Sequence, residues 1–167
     1  MMRGFAFVFL FFISLDSFAA LSPRMYSVIL QGAATARLTS APSKNSIYSS
    51  KADFNLMYFG RIGSGGPTLG FHYVAESRND VEYQTGKSYG LSLGYYWNSG
   101  WLILGHYDFF AELGPLTDGH GPQIDFGYLE HLGGHFHIGL QVSHRAMNYD
   151  TARIQETYPS LTLMHLF

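Results

Sequence analysis

Residues 88–113 read SYGLSLGYYWNSGWLILGHYDFFAEL, and the parity of this stretch decides the fold. Tyr89, Leu91, Leu93, Tyr95 and Trp97 fall on one parity, and Ser88, Gly90, Ser92 and Gly94 on the other. Asn98-Ser99-Gly100 is turn chemistry, because Asn and Gly tolerate positive φ and Ser bonds its own backbone. The alternation then resumes, with Trp101, Ile103, Gly105, Tyr107 and Phe109 set against Leu102, Leu104, His106, Asp108 and Glu112. A period of two over this length specifies strands, so the stretch is a β-hairpin with one bulky aromatic face and one small or polar face.

A soluble barrel puts its bulk inside and its charges outside. Here the small face carries the ionisable groups, which suits the narrow interior of a barrel whose outer wall meets lipid. Trp97 and Trp101 bracket the turn, where an interfacial aromatic girdle would sit.

The whole chain shares this character. Of its 167 residues, 47% are hydrophobic and 17% aromatic but only 13% charged. The apolar residues are spread in alternation, as in a membrane β-barrel, and no later run has the ~20 apolar residues of a spanning helix. Residues 1–19 have the pattern of a secretory signal peptide: Arg3, the apolar run Phe5–Ile13, and small residues before a cleavage point after Ala19 or Ala20. The remaining residues, 20–167, form one barrel domain. The formal net charge of −2 gives no basic excess for nucleic acid, and the absence of cysteine excludes disulfides and thiolate chemistry.

Taken in order, the alternation predicts eight strands: 24–38, 52–62, 67–76, the two of the opening hairpin, 122–130, 135–145 and 158–167. Long polar loops are expected at 39–51, 77–87, 114–121 and 146–157, and tight turns at 63–66, 98–100 and 131–134. Long and short connections alternate, so all long loops fall at one end. The expected fold is an all-β, eight-stranded antiparallel up-and-down transmembrane β-barrel, closed because an open edge would leave backbone groups unpaired in hydrocarbon. The expected location is the outer membrane of a Gram-negative bacterium, both termini periplasmic and the long loops extracellular.

These features resemble the family of small eight-stranded bacterial outer-membrane β-barrel proteins. The resemblance extends to the C-terminus, where Leu161, Leu163 and Phe167 look like the signal read by the barrel assembly machinery, with His165 and Pro159 as departures. It implies a monomer whose partners are outer-membrane lipid, lipopolysaccharide and, during biogenesis, that machinery. A narrower resemblance links Gly139–His144 and Glu156 to the outer-membrane lipid A 3-O-deacylases, which carry a His-x-Ser pair on the penultimate strand and an acidic residue near the start of the last. His144 and Glu156 are then the candidate catalytic residues. The position matching the nucleophile is Ala146, which has no nucleophilic oxygen, so a passive barrel is expected in preference to an enzyme.

The lumen parity collects Asp53, Arg61, His72, Glu76, His106, Asp108, Glu112, Asp125 and His137. These are expected to form a salt-bridged polar plug in preference to a small, porin-like pore or a proton path, because side chains about fill an eight-stranded barrel. A soluble lipocalin-like carrier would need an apolar interior, which these charges oppose. His131, His135 and His137 hint at a metal, but no Cys or carboxylate completes a ligand set, so neither metal nor other cofactor is expected. Lys44, Lys51, Arg78, Lys87, Arg145 and Arg153 lie in or beside the expected loops, where they would meet lipopolysaccharide phosphates.

Overall fold

The computed structural model describes residues 26–37, 47–59, 66–79 and 83–166. The proposed signal peptide, Arg61, Lys44 and Phe167 lie outside them. Eight strands follow one another: β1 (Tyr26–Arg37), β2 (Ile47–Phe59), β3 (Gly66–Asn79), β4 (Tyr83–Tyr96), β5 (Trp101–Leu113), β6 (Leu116–Gly133), β7 (Phe136–Asn148) and β8 (Arg153–Leu166). Each pairs antiparallel with its sequence neighbour, and β8 returns to β1 through pairs running from Ser27↔Leu166 to Gly32↔Leu161. The sheet is therefore a closed up-and-down barrel with no free edge among these strands. One opening, the terminal mouth, lies where β1 begins and β8 ends. The far mouth lies at the other end.

The alternation read from the sequence is the alternation of burial. Ser88, Ser92, Leu102, Leu104, His106 and Asp108 are buried inside, and Tyr89, Leu91, Leu93, Trp101, Ile103 and Tyr107 are exposed outside. The β4–β5 turn closes as expected, with Gly100 N–H donating to Trp97 O at 2.9 Å and Trp97 N–H to Trp101 O at 2.8 Å. Gly100 sits at φ 91°, a conformation that favours glycine.

Two sequence expectations change. Strand runs into three of the four expected long loops at the far mouth, leaving only residues 80–82, 114–115 and 149–152 between successive strands there. Polar residues there had hidden strand that continues past the apolar zone, since a ladder needs backbone pairing and not apolar side chains. The strands accordingly run to between 12 and 18 residues, and the described connections, 97–100, 114–115, 134–135 and 149–152, do not alternate long with short. The second change is a β-bulge. Tyr89 pairs with Phe110 and Gly90 with Asp108, so Phe109 is an extra residue on β5. Inward parity passes from Asp108 to Ala111 and Leu113.

The interior is layered. Near the terminal mouth Ile29, Met57, Leu102, Leu104, Leu129 and Met164 form a buried apolar cluster, with Tyr96 and Leu166 packed against it. Toward the far mouth Ala111, Leu113, Met147 and Tyr149 form a second, flanked by Leu116 and Ile154. Polar side chains lie between. Outside, Leu56, Phe71, Leu93, Tyr107, Phe126, Leu140 and Leu161 give each strand from β2 to β8 an exposed large apolar residue.

Candidate functional site: the lumen network and the outer wall

The polar layer of the interior holds the greatest concentration of chemistry. Five carboxylates point inward: Asp53, Glu76, Asp108, Asp125 and Glu156. His72 bridges two of them, with Nε2 2.7 Å from Asp53 Oδ1 and Nδ1 2.8 Å from Asp108 Oδ1. Its ring stacks on His106, centroids 4.1 Å apart. His106 in turn spans Ser92 Oγ at 2.7 Å and Asp125 Oδ2 at 3.0 Å. Asp125 also accepts hydrogen bonds from the side-chain amides of Gln31 and Gln123, both at 3.0 Å.

Nearer the far mouth, Arg145 is fully buried and reaches Glu76 Oε1 at 3.1 Å, Ser88 Oγ at 2.6 Å and Asp108 Oδ2 at 3.3 Å. Lys51 bridges Glu76 and Glu156, and Arg78 donates to Glu156 Oε2 at 2.7 Å. The five carboxylates thus face three permanent cations and two imidazoles, each imidazole on a carboxylate.

Asp53, His72, Glu76, His106, Asp108 and Asp125 stand where parity put them. Glu112 does not: beyond the bulge it faces outward, partly exposed, with Lys87 Nζ 3.1 Å from its Oε1. His137 also stands apart from the network, at the terminal mouth beside Tyr96 and His131. Lys51, Arg78 and Arg145, expected as loop cations, instead complete the lumen network. Their parity carried the signal, since Lys51 shares it with Asp53, Arg78 with Glu76, and Arg145 with Ser143. The expected loops had concealed it.

Ser92, His106 and Asp125 have the order of a hydrolytic triad, yet all three are buried between the two apolar clusters. No substrate can reach them, and Ser92 Oγ also hydrogen-bonds Asn55 Oδ1 at 3.1 Å.

The candidate pair on β7 and β8 is divided by the wall. His144 is exposed outside, its Nδ1 2.8 Å from Thr157 Oγ1 across the strand pair. Glu156 is on the inner face with Lys51 and Arg78. Ala146 is covered, its backbone tight against Gly121. Base and carboxylate are therefore not brought together, whereas base and hydroxyl are.

At the terminal mouth Trp97 and Trp101 are both exposed. Trp101 stacks on Phe126 at 5.1 Å and meets Tyr128 edge-on at 5.4 Å, while Trp97 packs on Tyr95 at 4.8 Å. Leu161 is exposed and Leu163 half-buried, and the buried His165 packs under the Phe136 ring at 4.4 Å. Phe136 supplies the covering that lets an imidazole stand on this outer parity.

The architecture defines the class of protein: a closed eight-stranded antiparallel barrel with a buried ionic network inside and a largely apolar exterior. No family model and no curated protein matches the chain. Among solved structures it is similar to the outer membrane protein Ail of Yersinia pestis, whose backbone structure was determined in a phospholipid bilayer nanodisc. That match is 13% identical, covers 86% of this chain and 99% of that one, and has a TM-score of 0.45.

Proposed function

We propose that the protein is an integral outer-membrane β-barrel with a plugged lumen, serving a structural or surface-interaction role. The observation that carries this reading is the wall. Large apolar side chains stand exposed on every strand from β2 to β8, a continuous belt and not the scattered single residues of a soluble surface. Lipid satisfies such a belt, and closure satisfies the backbone. The barrel is a monomer held by outer-membrane lipid and inserted by the barrel assembly machinery, which reads the Leu161, Leu163 and Phe167 pattern. Both termini are periplasmic and the far mouth faces outside, where Arg153, and Lys87 beside Glu112, are cations that can meet lipopolysaccharide phosphates. Trp97 and Trp101 form the periplasmic part of the girdle.

Cysteine placed at Asp118 or Arg153, both exposed near the far mouth, is expected to react with an impermeant maleimide on intact cells. Cysteine at Ser99 is expected to react only after the outer membrane is opened. Labelling of Ser99→Cys on intact cells would reverse the topology.

One observation favours a second reading. The His144–Thr157 contact sets a hydroxyl against a general base on the outer wall, the minimum for attack on a lipid acyl ester. It lacks an orienting carboxylate, so the passive reading leads and expects lipid A esters to survive incubation with the refolded protein. Release of a hydroxy fatty acid that is lost in both His144→Asn and Thr157→Val would replace it with the esterase.

A further inference from the structure

The terminal mouth carries a feature outside both readings. β6 continues to Gly133, so His131 lies on a strand and not in the turn where the sequence had placed it. It is the direct cross-strand partner of His137, which sets their Cβ atoms ~4.5–5.5 Å apart on one face of the ladder. Their ring centroids are 4.9 Å apart, with planes inclined at 55°.

Both rings line a cleft of about 460 Å³ that also includes Tyr96, Asn98 and Glu130. His131 Nε2 lies 3.2 Å from Gly134 O. A carbonyl only accepts, so Nε2 carries the proton and Nδ1 keeps its lone pair for a ligand. His137 is only 7% exposed, and its Nδ1 has no hydrogen-bond partner. A buried ring nitrogen left unpaired is costly.

We propose that His131 and His137 form a two-imidazole site for a divalent transition ion of the zinc, copper or nickel type, clipping β6 to β7 at the terminal mouth. The unpaired Nδ1 gains a partner, and the Gly134 carbonyl is the outer contact that fixes the His131 tautomer, as hydrogen bonds to metal-bound imidazoles do. Imidazole donors select these ions over magnesium and calcium, which prefer oxygen. Among the described residues no cluster of three His, Cys, Asp or Glu side chains is placed to hold a metal, so water fills the remaining positions and the ion is exchangeable. The His135 backbone lies beside His137, but the His135 ring turns to His165, 6.0 Å away between centroids.

The test uses tag-free, refolded full barrel in detergent, titrated with CuSO₄, ZnCl₂ or MgCl₂. One equivalent of copper is expected to give an electron paramagnetic resonance spectrum with two nitrogen ligands. His131→Gln and His137→Gln are each expected to weaken copper binding roughly tenfold or more, and His135→Gln to leave it unchanged. Zinc, but not magnesium, is expected to raise the thermal unfolding midpoint of the wild type, since a ligand of the folded state stabilises it. His131 is exposed, so its variant keeps the fold even if His137→Gln does not. Undiminished copper affinity in His131→Gln, or no saturable binding below about 1 mM, would overturn the site.

Discussion

Arg145 shows how a single side chain organises this interior. Its guanidinium fork reaches Glu76 and Asp108 at once, a geometry that a lysine point charge does not reproduce. Removing one member of a buried ionic set leaves its partners uncompensated, at a cost of about 3–5 kcal/mol. Arg145→Leu is expected at the lower end of that range, because Glu76 keeps Lys51 and Asp108 keeps His72. A urea titration of the refolded barrel measures it. A loss no larger than that of an exposed substitution would mean that the network is ornamental. Most of this network was legible from residues alone: Asp53, His72, Glu76, His106, Asp108 and Asp125 needed only a count of two. Gln31, Asn55 and Gln123 lay on the same parity, but an uncharged amide carries no sign that it is a connector until the opposing side chains are known.

At the scale of the element, β5 teaches where counting fails. The inserted Phe109 leaves no mark in the sequence, because an aromatic residue fits the outer wall as well as Tyr107 does, and Phe110 beside it is partly buried without disturbing the apolar pattern. Only pairing with β4 shows that the register has moved by one, carrying Glu112 outside to Lys87. An ion pair this exposed contributes little. Glu112→Ala is therefore expected to leave the urea midpoint within experimental error of wild type, in contrast to Arg145→Leu. A comparable loss in the two variants would return Glu112 to the lumen. The extensions of β6, β7 and β8 were hidden for a related reason. Asp118, Gly119, Asp150 and Thr151 carry turn chemistry, and Asp118 does adopt φ 50°, yet the ladder resumes on either side of such residues.

For the whole molecule, the order of layers along the axis matters more than any one contact. The polar layer alone would read as a candidate pore. An apolar cluster, Ile29–Met57–Leu102–Leu104–Leu129–Met164, lies on its terminal-mouth side, and a second, Ala111–Leu113–Met147–Tyr149, lies toward the far mouth on the β5–β8 side; the proposed plug rests on them. The lumen parity of Met57, Leu102 and Leu104 was visible in the sequence, but their joint position as a seal requires the register of four strands. Purified protein in a planar bilayer is accordingly expected to show no stepwise conductance, and steady unitary currents would contradict the seal.

The central claim is that the bulky parity faces lipid and the small parity faces the closed interior. Leu93, 65% exposed in the middle of the outward apolar run Tyr89–Trp97, and its buried neighbour Ser92 test it side by side. Leu93→Arg is expected to cost ~2–4 kcal/mol if that position lies at the bilayer midplane. A spin label is more direct. Attached at Leu93→Cys in protein reconstituted into phospholipid vesicles, it is expected to collide freely with dissolved oxygen, which concentrates in hydrocarbon, and rarely with a water-soluble nickel chelate. Frequent collision with the chelate and little with oxygen would place Leu93 in water and refute the membrane-spanning barrel.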